Sequence, residues 1–295
     1  MAFSPPVSLV AVVSSSAVPA VGLALVSAIV YGCADFGGGR ATRLASATTV
    51  TFTSQLAGLM LVALAAPFVP HGPLSSRMLL AGFIGGIAGG GGVMLFYHSL
   101  AHGTMSIVSP VTAVCAAAVP IVGGLLFGER PGSIALAGLV LAIGAIVLVS
   151  MVKGEHDPHA ARTIAMSIAA GMCFGLFYVA LSRSGPRPGV IPFFGARLSS
   201  LTLAALFARR QHAPLLVTRR ALPLAAGTGG MDMAANVLFL YASHLGLLTI
   251  TGAISALYPI STLVLARFID HERLRPSQWL GLAFALVAIV MISLN

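Results

Sequence analysis

Runs of about 20 apolar residues, separated by short polar connectors, recur along the whole chain, and no Asp, Glu, Lys, Arg or His occurs before Asp35. Each run is long enough to cross the ~30 Å hydrocarbon layer of a bilayer as a helix. Charged residues make up 8% of the sequence, against about 25% in an ordinary soluble domain, and the mean hydropathy is +1.00. A water-soluble chain of this length could not cover its surface with so few charges, so the solvent for most of it is lipid. In lipid every backbone N–H and C=O must be satisfied within its own segment, which selects helices. The alternating ~10-residue strands of a membrane barrel are not the pattern here.

The runs predict an all-α membrane protein with spans near 17–36, 47–69, 76–99, 104–127, 132–152, 163–183, 190–208, 219–243, 247–268 and 277–294, ten transmembrane helices in all. Residues 1–16 read as a tail or lead-in to the first span, and they lack the basic n-region of a secretory signal. The net charge of +9 does not indicate nucleic acid, because the arginines are scattered through connectors rather than gathered on one face. Cys33, Cys115 and Cys173 sit inside apolar runs without CxxC spacing. They read as small core residues, and neither a metal site nor a cofactor is expected. The glycine-rich stretch "GFIGGIAGGGG" (82–92) is not a phosphate loop, since GxxxxGK[ST] is absent. Any driving force must therefore come from a gradient. Gly82, Gly86 and Gly90, with Gly85 and Gly89 beside them, form stripes that let helix backbones approach closely.

The Glu-Arg pair in "LLFGERPGS" (Glu129, Arg130) returns in "RFIDHERLRPS" (Glu272, Arg273), a separation of 272 − 129 = 143 residues. At the same offset Gly103 falls on Gly246, Gly138 on Gly281, and Gly32 on Gly175. The chain reads as one five-helix unit written twice, 17–152 and 163–295, joined by a connector at 153–162. An odd number of crossings per unit inverts the second copy in the membrane, an arrangement suited to two halves rocking about a central site.

The segments "YGCADFGGG", "LFYHSLAHGTMSIVSPVTAVCAAAVPIVGGLLFGERPG" and "LGLLTITGAISALYPISTLVLARFIDHERLRPSQWLGLAFALVAIVMI" resemble the EamA family of the drug/metabolite transporter superfamily. The resemblance covers nearly all of the chain after residue 17. It implies ten helices in two inverted halves and the movement, in the export direction, of a small metabolite such as an amino acid or drug-like solute. Two positions depart from the family pattern: Tyr31 stands where Trp is common, and Ala116 stands where the second copy has Pro259. Orientation stays open. The connectors on the face of the termini carry Arg77, Arg130, Arg183 and Arg187, fewer basic residues than the opposite face, which puts the termini outside. The resemblance implies the reverse.

Ionisable groups inside spans are costly and mark candidate sites. Arg197 in span seven and Asp232 in span eight are expected to pair or to face a wet cavity, with Gln55 as the repeat mate of Arg197. The functional reading gives Arg197 an anionic substrate group and Asp232 a proton, a cation or a substrate amine; the alternative is a structural pair. Asp35 is placed near the end of span one, within reach of Arg40 or Arg43. His98 is a proton relay or a helix-linking hydrogen bonder. Tyr97, Phe174, Tyr178, Asn236 and Tyr241 are candidates for lining a cavity. Glu129, Arg130, Glu272 and Arg273 form a hairpin staple or a gate, with each Arg reaching back to the last carbonyls of the preceding helix, or each Glu binding an Arg of another connector.

The expected activity is gradient-driven secondary transport, with H+ or another ion as a coupling partner, in the cell membrane. A passive channel, a sensor and a membrane-embedded enzyme are the alternatives; no HExxH or nucleophile-plus-base motif supports the last. A second copy of the chain remains open as a partner.

Overall fold

The computed structural model describes residues 9–102, 105–150, 160–185, 187, 189–269 and 276–293. Among these the regular structure is helical: α1 Leu9–Ala41, α2 Ala47–Ala65, α3 Ser76–His102, α4 Met105–Leu126, α5 Ser133–Ser150, α6 Ala160–Ser182, α7 Ile191–Arg210, α8 Leu222–Leu245, α9 Leu248–Ser255, α10 Tyr258–Ile269 and α11 Pro276–Ser293. α2 opens on Ser46, whose hydroxyl accepts from the Thr49 N–H at 3.2 Å, so one orphan donor of the first turn is satisfied. It closes into a short 3-10 turn at Ala66–Phe68. Pro67 lies in that turn, where a ring with no N–H cannot continue a helix.

Apolar side chains fill the interior and also cover the outer surface, and a set of polar groups is enclosed with the core. Gln55, Arg197, Ser200, Thr228 and Asn236 are buried, whereas Leu64, Phe68, Val140 and Phe268 are more than two-thirds exposed. Such a surface is stable only against hydrocarbon, and some buried hydroxyls return to the backbone of their own helix, as Thr53 Oγ1 does to Thr49 O at 2.9 Å, while others bridge helices, as Ser27 Oγ does to Ala235 O at 2.9 Å. Six segments have the length and apolarity to cross a bilayer by themselves: Val18–Ala41, Ala47–Phe68, Ser76–Ala101, Ala161–Ser182, Ile191–Arg210 and Leu248–Ile269. Shorter apolar helices lie at Val111–Leu126, Ser133–Leu148 and Pro276–Ile292. The more polar α8 packs against α1 and α2 inside the bundle.

Two elements differ from the sequence expectation. α1 starts at Leu9 and runs to Ala41, so the segment read as a lead-in is helical from Leu9 onward and the span ends five residues beyond the predicted 36. The ninth run, expected as one helix, is split into α9 and α10 at Ala256–Leu257. Pro259 explains the break: it has no N–H to donate, and its ring disfavours a helical carbonyl four residues back.

Packing follows a simple exchange rule. α1 packs on α8 and α10, α3 on α6 and α7, α2 on α7 and α8, α4 on α6 and α9, and α5 on α11. Exchanging α1 with α6, α2 with α7, α3 with α8, α4 with α9–α10 and α5 with α11 maps this set of contacts onto itself: α2–α7, α4–α9 and α5–α11 onto themselves and the rest onto one another. The glycine stripes of α3 make its part of this possible. A Cβ on Gly82 or Gly86 would strike the backbone of α7 at Pro192 or Ala196, and one on Gly90 would lie 2.5 Å from the Ser200 Cβ. Gly85 and Gly89 face the Phe177 ring of α6. α3 is thereby wedged between α7 and α6.

Candidate functional site

A cavity enclosing about 770 Å³ of empty space, open solvent at its mouth included, lies inside the bundle. Its walls come from α1 (Tyr31, Asp35), α2 (Ser54, Gln55), α3 (Gly86, Phe96, Tyr97), α6 (Phe174, Phe177, Tyr178), α7 (Phe193, Arg197, Ser200), α8 (Asp232, Asn236) and α10 (Tyr258). The first three helices of each half therefore supply nearly all of it.

The polar floor is a bonded cluster. Arg197 is buried and its Nη2 donates to Asp232 Oδ2 at 2.7 Å. Its Nη1 donates to Gln55 Oε1, which also accepts from the Ser200 hydroxyl at 2.9 Å. Helices α2, α7 and α8 are thus tied by one guanidinium, and Gly58 leaves room for it: a Cβ there would meet Arg197 Nε at 3.1 Å. Beside this cluster the Tyr31 hydroxyl donates to Asn236 Oδ1 at 2.7 Å, and Asn236 Nδ2 donates to the Asp232 carbonyl at 2.7 Å. Asp232 and Asn236 are one turn apart on α8 and so share a face.

Aromatic rings form the rest of the wall. Tyr31 lies 6.0 Å from Tyr178 and 6.5 Å from Tyr258, centroid to centroid. Phe96 contacts both Tyr97 and Phe174 at about 6 Å.

Of the residues singled out in the sequence, Asp35, Gln55, Tyr97, Phe174, Tyr178, Arg197, Asp232 and Asn236 all line this one cavity. His98, half-buried, and Tyr241, 39% exposed, are not among its lining residues. Tyr241 faces outward because nine residues separate it from Asp232, two and a half helical turns. Asp35 is not held at the interface by Arg40 or Arg43. The five extra residues of α1 bury it among the cavity groups, and among the described residues it has no hydrogen-bond or ion-pair partner. Arg197 has both terminal nitrogens engaged by Gln55 and Asp232, while its buried Nε has no hydrogen-bond partner among the described residues. Tyr31, Ser54, Phe96, Phe177, Phe193, Ser200 and Tyr258 were not singled out as site residues; only Tyr31 carried a signal, through its place in "YGCADFGGG".

The Glu-Arg motif behaves differently from its expected hairpin role. Glu129 Oε1 and Oε2 accept from the backbone N–H groups of Leu248 and Thr249 at 2.8 and 2.9 Å. The carboxylate thus caps the first turn of α9 in the other half, where orphan donors and the helix dipole favour an anion. Arg130 Nη1 donates to the carbonyl of Glu129 at 3.1 Å rather than to the end of α4. The same face carries further cross-half contacts: Arg77 Nε to Arg183 O at 2.9 Å, Gly72 N to Arg187 O at 2.8 Å, and the Arg183 guanidinium 4.5 Å from the Phe127 ring centroid. Glu272 and Arg273 lie outside the described residues.

Comparison with known proteins agrees with this architecture. The EamA-like transporter family matches the chain twice, over residues 18–151 and 161–294. A Pseudomonas aeruginosa protein named "Uncharacterized protein PA1977" is 31% identical over 133 residues, 45% of this chain and 45% of that one. A solved structure titled "Crystal structure of protein" superimposes with a TM-score of 0.72 at 14% identity, covering 93% of this chain and 96% of that chain, a likeness of fold. The two matched halves, the apolar helices and the central cavity define a multi-pass membrane protein of the transporter class. The chain belongs to the EamA-like transporter family of the drug/metabolite transporter superfamily.

Proposed function

We propose that the chain is a gradient-driven secondary transporter that moves a small organic solute across the cell membrane. Two five-helix halves, α1–α5 and α6–α11 with α9–α10 counted as one broken span, lie inverted to each other and rock about the cavity. The observation that carries this reading is the cavity's construction: matching helices of both halves, α1–α3 and α6–α8, converge on one polar cluster inside a lipid-facing bundle. Rocking exposes such a cluster to one face and then the other. The broken α9–α10 span brings Tyr258 to the same cavity at its break. Glu129, anchored to the start of that span, is positioned to hold one face shut.

Solute counterflow in liposomes tests the reading. Vesicles preloaded with a solute that the protein carries should accumulate trace label of the same solute faster than empty vesicles, and the rate should saturate. Flux that rises without saturation would assign a channel instead, and no accelerated exchange with any class of amino acid, sugar, nucleoside or amine would sink transport altogether.

A further inference from the structure

The cavity carries an imbalance that its own residues do not resolve. Three formal charges line it, those of Asp35, Arg197 and Asp232. Arg197 and Asp232 are paired at 2.7 Å, and Gln55 takes the second guanidinium nitrogen. Asp35 is left half-buried with no hydrogen-bond or ion-pair partner among the described residues, so with Asp35 ionised the lining carries one formal negative charge in excess. A carboxylate at this depth is costly without a compensating positive charge. A second vacancy lies in the same wall: Tyr258 is 3% exposed, and its hydroxyl has no hydrogen-bond partner.

The other walls are aromatic, with Tyr31, Phe96, Tyr97, Phe174, Phe177 and Tyr178 around the space. Ring faces attract an organic cation and repel an anion. No group of His, Cys, Asp and Glu side chains suited to a metal ion occurs among the described residues, and the apolar lining suits a carbon skeleton better than a bare ion.

Resting on the transporter reading above, we propose that the cargo is an organic monocation, an amine or quaternary ammonium on an apolar or aromatic body. Its cationic head sits at Asp35, and a hydrogen-bonding group on its body reaches Tyr258. Asp232 is not the cargo ligand, because Arg197 already neutralises it. An anionic cargo meets a guanidinium whose charge Asp232 already balances and whose terminal nitrogens are both taken, with only the buried Nε unpartnered among the described residues. A zwitterion brings a second, negative group that no free cation in the cavity receives.

Equilibrium binding to the purified full-length protein tests this with shape-matched probes: phenethylamine, its N-trimethyl derivative, zwitterionic phenylalanine and anionic 3-phenylpropionate. The cations should bind at least about tenfold more tightly than the other two, a difference of about 1.4 kcal/mol. Asp35→Asn should weaken the cations at least about tenfold while leaving thermal stability equal or higher, since it removes an uncompensated charge. The comparison among probes on the unaltered protein needs no variant and stands even if that one misfolds. Tighter binding of phenylalanine or phenylpropionate, or no cation binding up to about 10 mM, overturns the proposal. Counterflow of a non-cationic solute in the same preparation would then leave the transporter reading intact. Tight cation binding without any counterflow would spare the site and sink transport.

Discussion

Glu129→Ala removes the carboxylate to which both Leu248 and Thr249 donate, at 2.8 and 2.9 Å. Neither N–H has an acceptor within α9, because both belong to its first turn. A hydrogen bond to a charged group contributes about 1.5–3 kcal/mol, but water partly replaces a half-buried cap, and cap deletions centre near 1 kcal/mol. The expected loss is therefore about 1–3 kcal/mol, or a fall of about 2–4 °C in melting temperature for each kcal/mol. Gly124→Ala is the matched perturbation. Its Cβ would lie 2.7 Å from Thr249 Cγ2 and 2.9 Å from the Glu129 carboxyl carbon, so it pushes the cap off the helix end without removing it. Gly144→Ala on α5 is the control, because nothing lies within 4 Å of a Cβ there; it should gain up to about 1 kcal/mol from helix propensity. Thermal unfolding in one detergent, at fixed lipid and protein concentration, reads all of these. The double variant Glu129→Ala with Gly124→Ala should lose no more than the worse single, since both act on one contact. Unchanged melting in Glu129→Ala, or fully additive losses in the double, would refute the cross-half cap. If the cap also holds one face shut, counterflow rates must change in Glu129→Ala; a lower melting temperature with unchanged rates assigns it a purely structural role.

Three further outcomes follow from the cluster and the packing. Asp232→Asn leaves Arg197 buried without its countercharge and should cost about 3–5 kcal/mol; pairing it with Arg197→Met should recover most of that loss in thermal unfolding. Tyr31→Phe deletes the 2.7 Å bond to Asn236 and should cost about 0.5–1.5 kcal/mol, whereas Tyr241→Phe, on the outer face, should change melting by less than about 0.5 kcal/mol. Gly86→Leu drives a side chain into the α7 backbone at Ala196 and should abolish folded protein by size-exclusion chromatography, while Gly91→Ala, whose Cβ would lie 3.8 Å from Leu203 Cδ2, should be tolerated.

Much of the fold was legible because lipid permits so few solutions. Long apolar runs become helices, and the helix ends fell close to the connectors for α2, α3 and α4. The glycine spacing in 82–92 announced a close-packed face, and the structure identifies its partners as α7 and α6. Charges inside spans were conspicuous, so Arg197 and Asp232 were visible before the structure joined them, and Gln55 was visible as the repeat mate of Arg197. Asp35 was misjudged by a local error: ending the first span at 36 made it terminal, whereas the helix continues through three glycines to Ala41. The placement of Tyr241 could have been corrected by helical phase alone. Phe96, Phe177, Phe193 and Tyr258 carried no signal, since an aromatic ring that packs helices and one that lines a cavity look alike in an apolar run. The carboxylate cap by Glu129 was hidden for a different reason. It joins residues 119 and 120 positions apart, and its donors are backbone N–H groups, which every sequence supplies.

Cavity access from each face separately tests the central claim most directly. In a variant with Cys33, Cys115 and Cys173 changed to serine, Ala34→Cys places one thiol on the cavity wall. Vesicles of known orientation are then treated with a membrane-impermeant thiol reagent from outside or from within. Two halves rocking about one cavity predict labelling from both sides, with rates that shift in opposite directions when cargo is added. Labelling from one side only, with and without cargo, would contradict the account.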